Sequence, residues 1–316
     1  MALFFGALLA LSPGSLDGTF ITLDDCRDPR IWESDFELME LAGFDTVIIR
    51  EAADLTSLQA FYPSSNPGLI DDCPYDRVGT VMSLAERHGM KVYLGLAFGA
   101  GTSSPPPGHD RDALLYTSVE VARDLLTLYG DSPGFAGWYL TPEVVVNDWV
   151  FNRWHHKVGF HYQLVAALRQ FDGHPIASAP YVIPDSTWQP VSPAQMREFA
   201  TNYVLQTGVN IVMLQDGAGA DNRSLERIAT YFQATAEGLA WTGAQFWADI
   251  EAFRVTGNGE YVPAPGGEVA AQSYVVEPVV AATVTWTFQH YMSPNSGRPG
   301  ALKEFLSYLT QSAARN

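Results

Sequence analysis

From residue 18 to the end of the chain, short apolar runs alternate with longer amphipathic stretches. The first run, Gly18–Leu23 (GTFITL), precedes a helical pattern over Ile31–Ala42. The second, Phe44–Glu51 (FDTVIIRE), precedes a long loop and a helix over Tyr75–His88. Lys91–Phe98 (KVYLGLAF) is the third. A Gly/Pro-rich loop, Gly99–Gly108, separates it from Asp112–Tyr129, where Val121, Leu125 and Leu128 share a helical face. Phe135–Thr141 (FAGWYLT) leads into a helix over Asp148–Phe171. Pro175–Tyr181 (PIASAPY) leads into one opened by Ser192 as N-cap and Pro193 in the first turn. Val209–Gln215 (VNIVMLQ) is followed by Leu225–Glu237, and Trp241–Asp249 by an apolar helix near Ala270–Ala282. Thr283–Gln289 (TVTWTFQ) precedes the closing helix, Pro299–Ser312.

Eight strand–helix pairs without a linker predict one (β/α)₈ TIM barrel over residues 17–316. A doubly wound open sheet is the rival, yet no Gly-rich phosphate fingerprint follows any strand. There is no internal repeat, heptad run or low-complexity tract. Hydrophobic residues make up 47% of the 316, and 12% are aromatic, enough to fill one large core. The formal charge of −17 disfavours nucleic acid and an anionic membrane surface as partners; a neutral sugar fits it.

Residues 1–16 form an apolar lead-in or the remnant of a secretory signal. The run Met1–Ser12 (MALFFGALLALS) is too short to span a bilayer, and no basic segment precedes it. Cys26 and Cys73 each follow two aspartates, in loops after early strands. They read as a disulfide that would agree with an extracytoplasmic location, or as two free thiols. No third ligand stands at metal spacing.

Barrel enzymes carry their chemistry at the C-terminal ends of the strands. Here those ends hold Asp24, Glu51, Glu143, Gln215, Asp216, Asp249, Glu251, Gln289, His290 and Tyr291. In the fourth strand, alternation puts Gly137, Tyr139, Thr141 and Glu143 on one face. In the seventh it groups Gln245, Trp247, Asp249 and Glu251, with Ala244, Phe246, Ala248 and Ile250 toward the helices. A polar inner row capped by acids makes a poor core but a good pocket lining. Cleavage of a glycosidic bond needs one carboxylic acid to protonate the leaving oxygen and a second carboxylate beside it. Tyr93, Tyr139, Tyr181, Trp188, Trp247, Trp286 and Tyr291 lie near strand ends and offer flat faces to sugars, whereas Trp138 and Phe246 read as core.

Acids closing strands four and seven resemble the arrangement of the large clan of retaining glycosidase barrels. Over nearly its whole length the chain also resembles the bacterial family of unknown function numbered 4434. The likeness rests on Gly18-Thr-Phe-Ile with Trp32, Gly43-Phe-Asp-Thr-Val-Ile-Ile, Gly137-Trp-Tyr-Leu-Thr-Pro-Glu143 and His290-Tyr-Met-Ser-Pro294. The resemblance implies Glu143 as acid/base and Glu251 as nucleophile, with Asp249 competing for the second role. Pro142 stands where the clan has an Asn that contacts the sugar 2-hydroxyl, so that contact must come from elsewhere.

Other groups carry less. His155, His156 and His161 are scattered around a helix and read as a solvated face. His290 reads as a substrate contact or a structural histidine. Arg50 beside Glu51 suits an acidic sugar or a simple ion pair. Asp24, Glu51 and Asp216 offer oxygen ligands to a divalent cation, but neither a metal nor a cofactor is expected. No Gly-x-Ser-x-Gly signature occurs. The sequence thus points to a glycoside hydrolase. Its rivals are a non-catalytic carbohydrate-binding barrel in a polysaccharide assembly system and a metal-dependent barrel lyase or aldolase.

Overall fold

The computed structural model describes residues 12–99, 111–150, 155–183, 190–296 and 299–313. Eight parallel strands close into a barrel: β1 (Gly18–Ile21), β2 (Thr46–Ile49), β3 (Lys91–Gly95), β4 (Phe135–Leu140), β5 (Ile176–Ser178), β6 (Ile211–Gln215), β7 (Gln245–Glu251) and β8 (Ala282–Trp286). They follow one another in chain order, with β8 beside β1. The helices are α1 (Pro29–Leu41), α2 (Arg77–Arg87), α3 (Arg111–Tyr129), α4 (His155–Leu168), α5 (Pro193–Thr207), α6 (Leu225–Leu239), α7 (Gly266–Val276) and α8 (Ala301–Ala313). This is a (β/α)₈ TIM barrel.

Strand alternation divides the core in two. Phe20, Ile48, Tyr93, Tyr139, Ala177, Met213, Trp247 and Val284 point inward and fill the barrel. Val47, Leu94, Trp138, Phe246 and Ile250 belong to the larger core that includes the helices. Gly137 makes the filling possible. A Cβ there would lie 2.3 Å from the Pro175 carbonyl oxygen and 3.0 Å from the Tyr93 ring. Ser192 and Gln195 cap α5 reciprocally with Pro193 in the first turn, and left-handed Gly208 ends the helix. At the N-terminal end of the barrel, the Ser15 carbonyl accepts from Ser273 Oγ (2.6 Å) and Thr283 Oγ1 (3.1 Å). Leu16 is buried there, whereas most of the apolar lead-in, residues 1–11, lies outside the described residues.

Several elements differ from the sequence expectation. The seventh strand starts at Gln245 rather than Trp241, because Gly243 turns at φ 79° and leaves Trp241 96% exposed. The eighth ends at Trp286. The Phe288 N–H leaves the ladder for Thr19 Oγ1 (2.8 Å), and Phe288–Met292 coil into a π-helical turn. The second strand starts after Phe44, whose N–H closes α1 by bonding to the Met39 carbonyl (3.0 Å). The third splits, and Ala97–Phe98 leaves the barrel to pair with Ala53–Asp54. The long helix after the fourth strand is described as two pieces, Val146–Val150 and α4. On α3, Val121 and Leu125 are buried but Leu128 is 46% exposed. A hairpin, Phe253–Val255 with Tyr261–Pro263, follows β7 directly.

Candidate active site

β4 ends at Leu140, and the chain runs on through Thr141 and Pro142 to Glu143. Glu143 is half-buried, and Gln215 at the end of β6 donates from Nε2 to its Oε1 at 2.8 Å. Burial lifts its pKa above the ordinary carboxylate value, against the Gln215 bond and the cations of Lys157 and Arg50. Beneath it, burial drives the Tyr139 phenol well above its usual pKa. The acids around it, Glu143, Asp249 and Glu51, push the same way. That phenol stays protonated.

β7 contributes two carboxyls in different settings. Asp249, 3% exposed, leaves Oδ1 without a hydrogen bond, and burial followed by Glu251, Asp216 and Glu143 raises its pKa strongly. Glu251 lies further along. Its Oε2 accepts from the backbone N–H groups of Gly219 (2.6 Å) and Ala220 (2.7 Å), in the turn Ala218–Asp221. Burial and the neighbouring Asp216 push Glu251 upward, and the two N–H bonds oppose them. Asp216 itself accepts from Ala218 N (3.1 Å) and Glu251 N (3.3 Å).

Across the mouth, Arg50 grips Glu51 through Nε and Nη2. Its guanidinium lies 5.4 Å from the Phe98 ring centre and 5.8 Å from that of Trp286. Burial raises the Glu51 pKa, with Arg50 opposing. Exposed Asp24 acts electrostatically on Arg50, Glu51 and His290. His290 Nε2 lies 3.1 Å from Thr22 Oγ1, and burial lowers its pKa, helped by Arg27. Tyr181 is half-buried, and burial followed by the Glu143 charge pushes its pKa up to about 12. Half-buried Trp286 packs on Phe20 at 5.4 Å. Tyr291 packs on Phe253 of the hairpin at 5.2 Å, and Phe253 stands the same distance from Tyr261.

The fold therefore gathers Glu143, Gln215, Tyr139, Tyr181, Asp249, Arg50 and Glu51 around one mouth. Asp216 and Glu251 adjoin Asp249, and Trp286 lies under Arg50. Three of the expected sugar platforms are not there: Tyr139 is 3% exposed and packs edge-on against Phe20 at 5.1 Å within the barrel filling. Tyr93 and Trp247 are 6% and 7% exposed and meet edge-to-face at 5.5 Å inside the barrel. Their inward parity places them in the filling, where the Tyr93 phenol feels Asp45, which directly precedes β2 at the opposite end of the barrel. Trp188 lies outside the described residues.

His161 also departs from expectation. It is fully buried rather than solvated, because α4 packs that side against α5, and both ring nitrogens are engaged. The side chains of His155 and His156 lie outside the described residues. Sequence reasoning missed Lys157, 8% exposed, whose Nζ lies 3.6 Å from Asp148 and whose charge reaches Glu143. The signal was the spacing of Lys157 and His161, one helical turn apart on one face.

Among the described residues, no group of three His, Cys, Asp or Glu side chains is placed to hold a metal ion. No helix among them is long and apolar enough to cross a membrane. Cys26 and Cys73 are joined in a disulfide, with Cα atoms 5.6 Å apart, tying the loop after β1 to the loop after β2.

Residues 16–298 match the family model described as Domain of unknown function (DUF4434). The chain belongs to this family. No curated protein matches it. Among solved structures, it is similar to a candidate alpha-L-fucosidase from Bacteroides thetaiotaomicron VPI-5482, with TM-score 0.79 and 18% identity over 96% of this chain and 98% of that one. It is similar to the endo-1,4-beta-mannanase of Rhizomucor miehei, with TM-score 0.65 and 11% identity over 96% and 95% of the two chains. It is also similar to the family 1 beta-glucosidase of Thermotoga maritima, with TM-score 0.57 and 12% identity over 96% and 98%. At such identities the likeness is one of fold.

Proposed function

We propose that this DUF4434 barrel is a glycoside hydrolase acting on the O-glycosidic bonds of an oligo- or polysaccharide. Glu143 carries the reading. It stands past the end of β4, open on one edge, and its buried setting favours the protonated form. A carboxyl whose pKa is raised by burial is shifted in the direction that protonation of a leaving glycosidic oxygen needs.

Glu251 is the second carboxylate. The Gly219 and Ala220 N–H groups favour its charged form, whereas Asp249 has no donor on Oδ1 and several acidic neighbours. The nucleophile's role accordingly falls to Glu251: burial and Asp216 hold its pKa up at about 8, and the two N–H bonds favour the charged form it needs for attack. Tyr181 and Trp286 offer half-buried faces to the sugar, and Asp24, Arg50, Gln215 and His290 offer hydrogen bonds at the rim, whereas Glu51 is buried and held by Arg50. The glycosidase descriptions of three similar barrels support the substrate class. The disulfide supports action outside the cytoplasm, where such bonds persist.

The test is a panel of nitrophenyl glycosides, α-L-fucoside, β-mannoside and β-glucoside included, followed by unactivated oligosaccharides. Once a substrate is found, Glu143→Gln should lower turnover of unactivated glycosides by ~10²–10⁴-fold while sparing much of the activity on activated aryl glycosides. Equal activity of variant and parent on an unactivated glycoside would remove Glu143 from the role.

A further inference from the structure

Pro142 has no N–H, and its carbonyl must be satisfied at the point where the chain leaves β4 to present Glu143. His161 satisfies it from below: its Nε2 lies 2.8 Å from the Pro142 oxygen. Nδ1 of the same ring lies 2.7 Å from the Tyr203 hydroxyl on α5, and that hydroxyl lies 2.7 Å from Ser178 Oγ on β5. His161 and Ser178 are fully buried, as is Tyr203.

Hydrogen-bond chemistry fixes the directions. A carbonyl only accepts, so Nε2 carries the proton. Burial lowers the imidazole pKa to about 4, so the ring is neutral and Nδ1 is an acceptor. Tyr203 then donates to Nδ1, and Ser178 donates to Tyr203. The relay joins the exit of β4 to α4, α5 and β5. A leucine would fill the same space without the desolvation cost of a buried imidazole, so packing alone does not account for His161.

We propose that His161 is a positioning residue for Glu143. Its bond to the Pro142 carbonyl fixes the peptide that aims the carboxyl, and Tyr203 and Ser178 hold the ring in the one tautomer that makes this bond. The proposal rests on the reading of Glu143 as the acid.

The experiment compares His161→Leu, which keeps the bulk but loses the donor, with His161→Gln, whose side-chain amide restores an N–H near the Nε2 position. Each is assayed on a dinitrophenyl glycoside and on an unactivated glycoside of the same sugar. A displacement of about 1 Å is worth ~10²-fold in rate. His161→Leu should therefore lose about that much kcat on the unactivated substrate and little on the activated one, and His161→Gln should recover most of it. Equal losses on both substrates, or none on either, overturn the proposal. A parent enzyme inert on every glycoside defeats the glycosidase reading instead. The positioning claim is then decided by the crystal structure of His161→Leu, in which Glu143 should have moved off its Gln215 bond; an unmoved carboxyl overturns it.

Discussion

Asp249 is the residue on which activity and stability pull in opposite directions. Its carboxyl is buried among Glu251, Asp216 and Glu143, and burial with these acidic neighbours raises its pKa well above the usual carboxylate range. Ionising such a group is harder in the folded than in the unfolded state. Its contribution is therefore fully favourable only below the unfolded pKa of ~3.9, and it is lost progressively as pH climbs toward the folded value. Asp249→Asn should accordingly raise the melting temperature relative to the parent at about pH 8 and change it little at about pH 4. The same substitution should lower turnover moderately. Thermal melts at the two pH values decide the point: a variant less stable than the parent at the higher pH contradicts a strained, proton-holding Asp249. Glu251→Ala should behave differently, with turnover nearly eliminated and azide partly restoring it as a glycosyl azide of inverted configuration. Azide rescue at Asp249→Ala, with none at Glu251→Ala, would swap the two roles.

One turn, Ala218–Asp221, tunes the acidity of one strand end, because its Gly219 and Ala220 N–H groups hold Glu251 and oppose the rise that burial and Asp216 impose. Gly219 has no room for a side chain: a Cβ there would stand 2.2 Å from the Phe253 carbonyl oxygen of the hairpin. Gly219→Ala should push the turn away from Glu251, costing about 1–3 kcal/mol of stability. Losing N–H donors raises the pKa of a carboxylate, so the acidic limb of the kcat/KM profile should move to higher pH. An unshifted limb would show that the turn does not tune the nucleophile.

The barrel strands were legible because Phe20, Ile48, Met213 and Val284 alternate with outward residues, a period that survives any loop. The ends were not. Thr283–Gln289 reads as one β-branched and aromatic strand, and nothing local reveals that Thr19 draws Phe288 out of the ladder. Parity placed Trp247 on the inner face correctly. It could not say how deep in the barrel that face lies, so a filling residue passed for a sugar platform. The spacing of three histidines suggested a solvated helix, whereas α4 packs against both the barrel and its neighbour α5 and buries the side that carries His161.

At the scale of the whole molecule, the acid-bearing mouth depends on loops that the barrel does not itself hold. The loops after β1 and β2, which carry Asp24 and follow Glu51, are joined by Cys26–Cys73 across 47 residues. Arg77 adds a second tie, donating from Nη1 to the Leu23 carbonyl (2.9 Å) and from Nη2 to Asp71 (3.0 Å). Tyr75 adds a third by donating to the Arg27 carbonyl. Closing a loop of this length restricts the unfolded chain by ~4 kcal/mol in the chain-entropy account. Because Arg77 and Tyr75 remain, Cys26→Ser should keep the native circular dichroism spectrum while the melting temperature falls by roughly 5–10 °C. Reducing agent should shift the parent by the same amount and leave Cys26→Ser unchanged. If reductant lowers both melting temperatures equally, the stabilisation does not come from the bridge. If neither moves, the ion pairs at Arg77 hold the two loops on their own.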